Sequence, residues 1–252
     1  MTIPAVTPWQ GSRASSPFDP LLVLPVLVLL AFSAIMVFSA AIGTRGGISG
    51  GLAVLLKHLF SIALGLCLGF AVASAPLDWW RKSSRILLAF GTVLLVLLLL
   101  PGLGHEVNGS TRWFPLGPLR FQPSELVKVL SVLYLADHFV RNASAVTSFR
   151  VSIIEPALVV GVLGVLLLLE PDLGCTAVIM MVALGMMFLA GTPLRYIGGA
   201  IAVAVCTVAV LIMMDPERLE RVMSFLDPFA DPYDSGFQLV QALIALGSGE
   251  WL

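Results

Sequence analysis

Seven stretches of the sequence are almost continuously apolar, and short polar segments separate them. A helix needs about 20 apolar residues to cross the roughly 30 Å hydrocarbon core of a bilayer, because its backbone polar groups must be satisfied internally. The third, fourth and fifth stretches are shorter than this, so we expect their helices to extend into flanking residues. The stretches are Leu21–Ile42, Leu52–Ala75, Ile86–Leu100, Glu125–Val140, Ile153–Leu169, Cys175–Ala190 and Tyr196–Met214.

A final segment, Phe237–Leu252, begins with a helical pattern and stops where the sequence stops. The pattern predicts an all-α, polytopic membrane protein with about seven transmembrane helices and the start of an eighth segment. Residues 1–20 are polar and rich in Pro and Ser, and no A-x-A-like cleavage site follows them, so Leu21 onward is predicted to be a retained span. We expect the transmembrane domain, residues 21–252, to continue beyond residue 252.

Composition supports a lipid-embedded chain. Of the 252 residues, 58% are hydrophobic and 12% are charged, with a mean hydropathy of +1.00, whereas soluble domains are about 25% charged. The 14 basic and 15 acidic residues nearly cancel, which excludes the basic field that nucleic-acid binding needs. Cys67, Cys175 and Cys206 lie inside apolar runs, as packing residues do.

The distribution of cations predicts the orientation, because short cytoplasmic loops are enriched in Lys and Arg. One side carries seven cations and the other five, which favours a cytoplasmic N-terminus. The polar loops that contain few cations then lie on the outer face. The first side holds Arg13, Arg81, Lys82, Arg85, Arg141, Arg150 and Arg195, and the second holds Arg45, Arg112, Arg120, Arg218 and Arg221.

The fourth stretch starts with a group of polar residues, Gln122, Ser124, Glu125 and Lys128, around a proline that is typical of a helix start. Glu125 and Lys128 are three residues apart, so they lie on one helix face and can pair. A lone charge in a span costs a few kcal/mol, and pairing removes part of that cost. The pair indicates either an ion pair between helices or a polar cavity that opens outward, and both can hold.

A polar loop precedes this helix, and it contains Arg112 next to Trp113. Its Asn-Gly and Leu-Gly steps are turn signals, and the pattern predicts an amphipathic loop on the membrane surface with the Trp at headgroup depth. Two interpretations stay open for Arg112. It anchors the loop at the interface, or it binds a phosphate or pyrophosphate group through its guanidinium.

The fifth and sixth stretches are joined by Glu170-Pro171-Asp172-Leu173-Gly174. Two carboxylates around a proline end one helix and start the next. This segment is either an interhelical turn capped by Asp172 or a place where Glu170 contacts a cation or a substrate.

A second polar segment, Met223–Gln241, carries Asp227, Asp231 and Asp234 between two apolar segments. Asp227 and Asp231 each precede a proline, which favours an extended backbone and a projecting side chain. The segment, with its outer loop predicted over about residues 215–236, is a solvated connector, a cation site or a catalytic loop in which a positioned carboxylate acts as a base. Gln238 follows on the next helix and could line the same polar site.

Four blocks in this order resemble the SEDS family of membrane proteins. They are Asn108-Gly109-Ser110-Thr111-Arg112-Trp113-Phe114-Pro115-Leu116-Gly117, then Phe121-Gln122-Pro123-Ser124-Glu125-Leu126-Val127-Lys128, then Glu170-Pro171-Asp172-Leu173-Gly174, and finally Asp231-Pro232 with Ser235-Gly236-Phe237-Gln238 and Gly247-Ser248-Gly249-Glu250-Trp251. The resemblance implies a ten-helix glycosyltransferase of the bacterial inner membrane that polymerises lipid II into peptidoglycan strands. It leans toward the division member rather than the elongation member.

The resemblance also implies roles for individual residues. Asp231, outside the membrane, would be the general base, with Arg112, Trp113, Glu125, Lys128 and Gln238 contacting the substrate. Gln122, Ser124, Glu170, Asp172 and Asp227 would support them. The implied partners are lipid II, a class B penicillin-binding protein and other divisome membrane proteins. No cofactor is required by the motifs, although a divalent cation such as Mg²⁺ would be compatible with them.

Two features depart from the family pattern. Phe237 stands where the family usually has tyrosine, and the C-terminal helices of the family are absent from this sequence. The sequence leaves two other functions open. One is a lipid II flippase or transporter, which the charged pair of the fourth stretch suggests, and the other is a scaffold that recruits the class B penicillin-binding protein.

Overall fold

The computed structural model describes residues 19–44, 47–100, 104–107, 110–116 and 119–248. Helices make up nearly all of its regular structure, so the predicted all-α class is confirmed. The chain forms two compact units, one ending at Trp80 and one beginning at Arg81. All of the predicted site residues belong to the second unit.

Each of the seven apolar stretches forms a helix, and the short ones extend as expected. The third helix begins nine residues before Ile86, at Leu77, and the fifth is preceded by a π-helical turn, Arg150–Ile154. The helices are α1 (Pro20–Thr44), α2 (Ile48–Ser74), α3 (Leu77–Leu98), α4 (Pro123–Arg141), α5 (Glu155–Leu169), α6 (Leu173–Leu189), α7 (Leu194–Met213), α8 (Pro216–Leu226) and α9 (Phe237–Ser248).

Four segments of the described chain are long and apolar enough to cross a membrane. They are Pro20–Thr44, Ile48–Ser74, Arg150–Leu169 and Leu194–Met213, and their windows have mean hydropathies between 2.0 and 2.9. Most of their large apolar side chains are exposed in the folded chain, as expected of surfaces that face lipid rather than water. The protein is therefore a multi-pass membrane protein.

In the first unit, α1 packs against α2. Gly51 lies at their contact, where an added Cβ would come within 2.9 Å of the Ile42 side chain. A polar contact joins the same two helices, because Ser33 Oγ and His58 Nε2 are 2.8 Å apart.

The core of the second unit lies between α3, α4, α5 and α6. Leu95, Val127 and Leu167 are fully buried there. A second cluster joins α4, α6 and α7 through Leu135, Phe139, Ala183, Met187 and Ile197. These contacts fix the position of α4 relative to the turn between α5 and α6, which is where the candidate site lies.

The segment before α4 forms a small antiparallel sheet rather than the predicted loop. Its strands are β1 (His105–Val107), β2 (Ser110–Leu116) and β3 (Leu119–Phe121), in the order β1-β2-β3. Val107 pairs with Ser110, and Phe114 pairs with Phe121. Thr, Trp and Phe favour strands. The predicted turn residues Asn108-Gly109 and Gly117 lie outside the described residues.

The loop predicted over about residues 215–236 is also shorter than expected, because its first half forms α8. Asp215 caps this helix by accepting a hydrogen bond from the Glu217 amide at 3.1 Å, and it pairs with Arg218 at 2.9 Å. A proline at the first helical position is tolerated because its missing N–H has no intrahelical partner. Only residues 227–236 then remain as a connection between α8 and α9.

Candidate functional site

The charged pair at the start of α4 forms as its spacing predicted. Lys128 Nζ lies 2.8 Å from Glu125 Oε1, and the Lys128 side chain is the more buried of the two, at 25% exposure against 59%. Lys128 also interacts electrostatically with Asp172. The pair therefore belongs to a larger polar group that includes the turn between α5 and α6.

Asp172 joins the start of α4 to the start of α6. Its Oδ1 accepts a hydrogen bond from the Cys175 amide at 3.0 Å, which makes it the N-cap of α6. Its Oδ2 accepts from Gln122 Nε2 and from Ser124 Oγ, both at 3.4 Å. The predicted capped turn is thus present, and it accounts for the two polar residues that precede Glu125.

Arg112 anchors the sheet to the same turn. From β2 its Nε donates to the Glu170 carbonyl at 3.1 Å, and its NH2 donates to the Pro171 carbonyl. Two N–H groups are used in this way, and a guanidinium has five. The remaining donors leave Arg112 able to bind an anion at the edge of the turn, beside the partly exposed Trp113.

Glu170 is the most deeply buried carboxylate among the described residues, with 1% of its surface exposed. Neither of its carboxylate oxygens has a hydrogen-bond partner among those residues. Burial, and secondarily the nearby Asp172 charge, raise the pKa of Glu170 to about 8, against a smaller opposing effect of Arg112. Glu170 is therefore neutral at pH 7, a property that its place beside a proline in the sequence does not indicate.

The Glu170→Gln variant should change how stability depends on pH. Between about pH 4.5 and 8, Glu170 is protonated in the folded chain and ionised in the unfolded chain. Because of this difference, the free energy of unfolding falls as the pH rises, by about 1.4 kcal/mol per pH unit. Glutamine mimics the neutral acid and does not titrate. In detergent, the variant should unfold at nearly the wild-type temperature at pH 5 and at a higher temperature at pH 8.

A control for this measurement is Glu220→Gln, because Glu220 is exposed on α8. Its unfolding temperature should follow that of the wild type at both pH values. Parallel pH curves for wild type and Glu170→Gln would show that Glu170 is charged in the folded chain.

The connection between α8 and α9, residues 227–236, is called the aspartate loop here because it contains Asp227, Asp231 and Asp234. It is built around Gly236, where the backbone passes very close to itself. The Gly236 amide donates to the Asp231 carbonyl at 3.0 Å, and the Gly236 carbonyl accepts from the Val240 amide at 2.9 Å. An added Cβ at Gly236 would lie 2.2 Å from the Pro228 carbonyl oxygen. The loop is thus closed by its backbone, and its carboxylates are left to project from it.

The side chains of Asp227, Asp231 and Gln238 are exposed, and they make no hydrogen bond or ion pair with any described residue. The structure therefore joins Gln122 and Ser124 to Asp172 by hydrogen bonds and anchors Arg112 on the same turn, which also carries Glu170. The Glu125–Lys128 pair lies next to them on α4. Among the described residues, no hydrogen bond or ion pair joins the side chains of Asp227, Asp231 and Gln238 to this polar group. The catalytic, binding and supporting roles given to these residues stay predictions.

Within the described parts of the chain, no group of three or more His, Cys, Asp or Glu residues is arranged to hold a metal ion. The polar group contains two cations, Arg112 and Lys128. Near them lie the carboxylates of Glu125 and Asp172 and the neutral acid Glu170.

Comparison with known proteins gives a consistent result. The sequence profile of the FtsW/RodA/SpoVE family, described as cell cycle protein, matches residues 20–252. The chain is 41% identical over 240 residues to a probable peptidoglycan glycosyltransferase FtsW of Allochromatium vinosum, and this match covers 95% of the chain and 60% of that relative. The chain thus spans about three fifths of the length of this relative.

Solved structures agree. The rod shape determining protein RodA of Thermus thermophilus matches 72% of this chain and 58% of its own, with 30% identity and a TM-score of 0.54. A structure described as a peptidoglycan synthase complex that coordinates polymerization and crosslinking matches 90% of this chain and 65% of its own, with 31% identity and a TM-score of 0.67. Since a family profile matches nearly its whole length, the chain belongs to the FtsW/RodA/SpoVE family, the SEDS family that its motifs indicated.

Proposed function

We propose that this protein is a peptidoglycan glycosyltransferase that polymerises lipid II into glycan strands during cell division. The observation that carries the proposal is the polar group at the start of α4. Residues from three separate sequence blocks meet there, next to helices that cross the membrane. The FtsW name of the relatives supports the reaction and the division role.

In the proposed reaction, Asp231 accepts the proton of the sugar 4-hydroxyl of one lipid II molecule. The oxygen attacks the anomeric carbon of the growing chain, and the bond to undecaprenyl pyrophosphate breaks. Arg112 and Lys128 are suited to the pyrophosphate, because cations aimed at a developing negative charge stabilise the transition state. The exposed position of Asp231 on a backbone-closed loop gives an acceptor sugar access to the carboxylate.

The proposal also covers the location, orientation and partners of the protein. We place it in the bacterial inner membrane, with its N-terminus in the cytoplasm and the aspartate loop on the periplasmic side, because the cation distribution favours this orientation. Its partners would be a class B penicillin-binding protein and other divisome membrane proteins. A solved relative described as coordinating polymerization with crosslinking supports the first of these partners.

A lipid II flippase is the second candidate function. The Glu125–Lys128 ion pair favours it, since charged residues within membrane helices often line a substrate path. A polymerase of the elongation type is the third, and the similarity to RodA supports it.

Reconstitution separates these functions. The chain would be placed in liposomes with a class B partner and fluorescent lipid II, and both glycan strands and transbilayer movement of the label would be measured. We expect strands resolved by gel electrophoresis. Movement of lipid II without any strand formation would instead support the flippase. Complementation of a division-defective rather than a rod-shape-defective strain would support the division role.

A further inference from the structure

A second charged group lies at the opposite end of α4 from the candidate site. The C-terminal end of α4 lies beside the start of the apolar segment Arg150–Leu169, because His138 Nε2 and the Val151 carbonyl oxygen are 3.0 Å apart. Glu170 of the candidate site follows the other end of this 20-residue segment, which at about 1.5 Å per residue is about 30 Å long, close to the thickness of a bilayer core. We therefore place the second group at the other membrane surface, where the proposed polymerase chemistry has no use for it.

The centre of this group is Asp137, which is almost completely buried. Arg141 Nε lies 2.6 Å from Asp137 Oδ2, and Arg81 Nε lies 3.9 Å from Oδ1. Ser84 Oγ donates to Oδ2 at 3.1 Å. A buried carboxylate that contacts two arginines from different helices holds their guanidinium groups side by side.

Both arginines keep hydrogen-bond donors for a further ligand. Their side chains are 47% and 40% exposed. Arg81 makes no hydrogen bond through its side chain to any described residue, and Asp137 Oδ1 accepts none. Arg141 uses its Nε for the carboxylate and its NH2 for the Arg81 carbonyl at 3.4 Å. Its other N–H groups stay available.

The surroundings are positively charged. Lys82 and Arg85 follow Arg81 on exposed positions of α3. Arg150, on the π-helical turn, is 80% exposed and lies 3.4 Å from Glu155. Cations outnumber carboxylates among the described residues of this surface, so an anion is attracted to it.

We propose that Arg81 and Arg141 bind the phosphate headgroup of an anionic bilayer phospholipid. Arginine matches the geometry of a phosphate with two parallel N–H donors. The two residues sit where charged helix ends meet apolar spans, which places them at headgroup depth. A phospholipid is favoured over an acidic peptide because the apolar helix surfaces next to this group also accommodate its acyl chains.

The test is native mass spectrometry of the chain in detergent, titrated separately with phosphatidylglycerol and phosphatidylethanolamine. The wild type should bind phosphatidylglycerol more tightly than phosphatidylethanolamine. Arg81→Gln should weaken that binding about fivefold or more, since a hydrogen bond to a charged group contributes at least that factor. Arg195→Gln, the same charge change on α7, should leave it unchanged.

Arg141→Gln alone would leave a buried carboxylate without its strongest partner and could prevent folding. The variant to use is therefore Asp137→Asn with Arg141→Gln, which keeps the net charge. Loss of phosphatidylglycerol binding in this double variant supports a specific site. The proposal would be overturned if both Arg81→Gln and the double variant bound phosphatidylglycerol as tightly as the wild type does. It would also be overturned if the wild type bound phosphatidylethanolamine equally well, or bound a polyglutamate peptide in place of the lipid.

Discussion

Asp231→Asn is expected to lower the rate of lipid II polymerisation by about a hundredfold to ten-thousandfold. General-base catalysis by a positioned carboxylate typically contributes a factor of this size. Asparagine keeps the shape of the side chain but cannot accept the proton of the sugar hydroxyl. Because Asp231 is exposed and makes no side-chain hydrogen bond to a described residue, folding should be unaffected. The measurement is the initial rate of strand formation by the reconstituted chain.

Asp227→Asn is the matched control. Asp227 also precedes a proline and is also exposed, but it stands at the C-terminal end of α8, four residues earlier. This variant should keep a good part of the activity. Equal rates for wild type and Asp231→Asn would remove Asp231 as the base, and a larger loss in Asp227→Asn would move the role to that residue.

Short-range spacing made much of the polar group predictable. The three-residue separation of Glu125 and Lys128 places them on one helix face, and the observed pair follows from helix geometry alone. An aspartate followed by the start of an apolar helix similarly predicts a cap, and Asp172 is one. These predictions depend on residues within a few positions of each other.

Contacts between distant segments were not predictable in this way. The bonds from Arg112 to the carbonyls of Glu170 and Pro171 join residues almost 60 positions apart. The burial of Glu170 likewise depends on how α4, α5 and α6 pack, and local sequence contains no measure of that. The sheet and α8 were not predictable for a different reason. Proline is also common at the first position of a helix, and turn residues also join the strands of a hairpin, so neither residue type alone indicates an irregular loop.

A substitution at Gly236, in the loop that carries Asp231, is expected to have the second large effect. It would act by displacing the Asp231 carboxylate, not by removing it. Gly236→Ala should reduce polymerisation by about a hundredfold, since a misplacement of about 1 Å in a reacting group can cost that much. The added Cβ would lie 2.2 Å from the Pro228 carbonyl oxygen and 2.7 Å from that of Asp231. Both are backbone atoms, so the loop must move and carry Asp231 with it.

Gly247→Ala provides the comparison, because an added Cβ at Gly247 meets no atom within 4 Å. Gly247 lies within α9, where alanine favours the helix by about 1 kcal/mol, so activity should stay at the wild-type level. Thermal unfolding of both variants should remain close to that of the wild type, since the core of the second unit lies in other helices. If Gly236→Ala polymerised lipid II as fast as Gly247→Ala, the fixed backbone of this loop would have no part in placing the base. A loss of activity confined to Gly236→Ala, with unchanged unfolding, would instead show that the loop geometry positions Asp231.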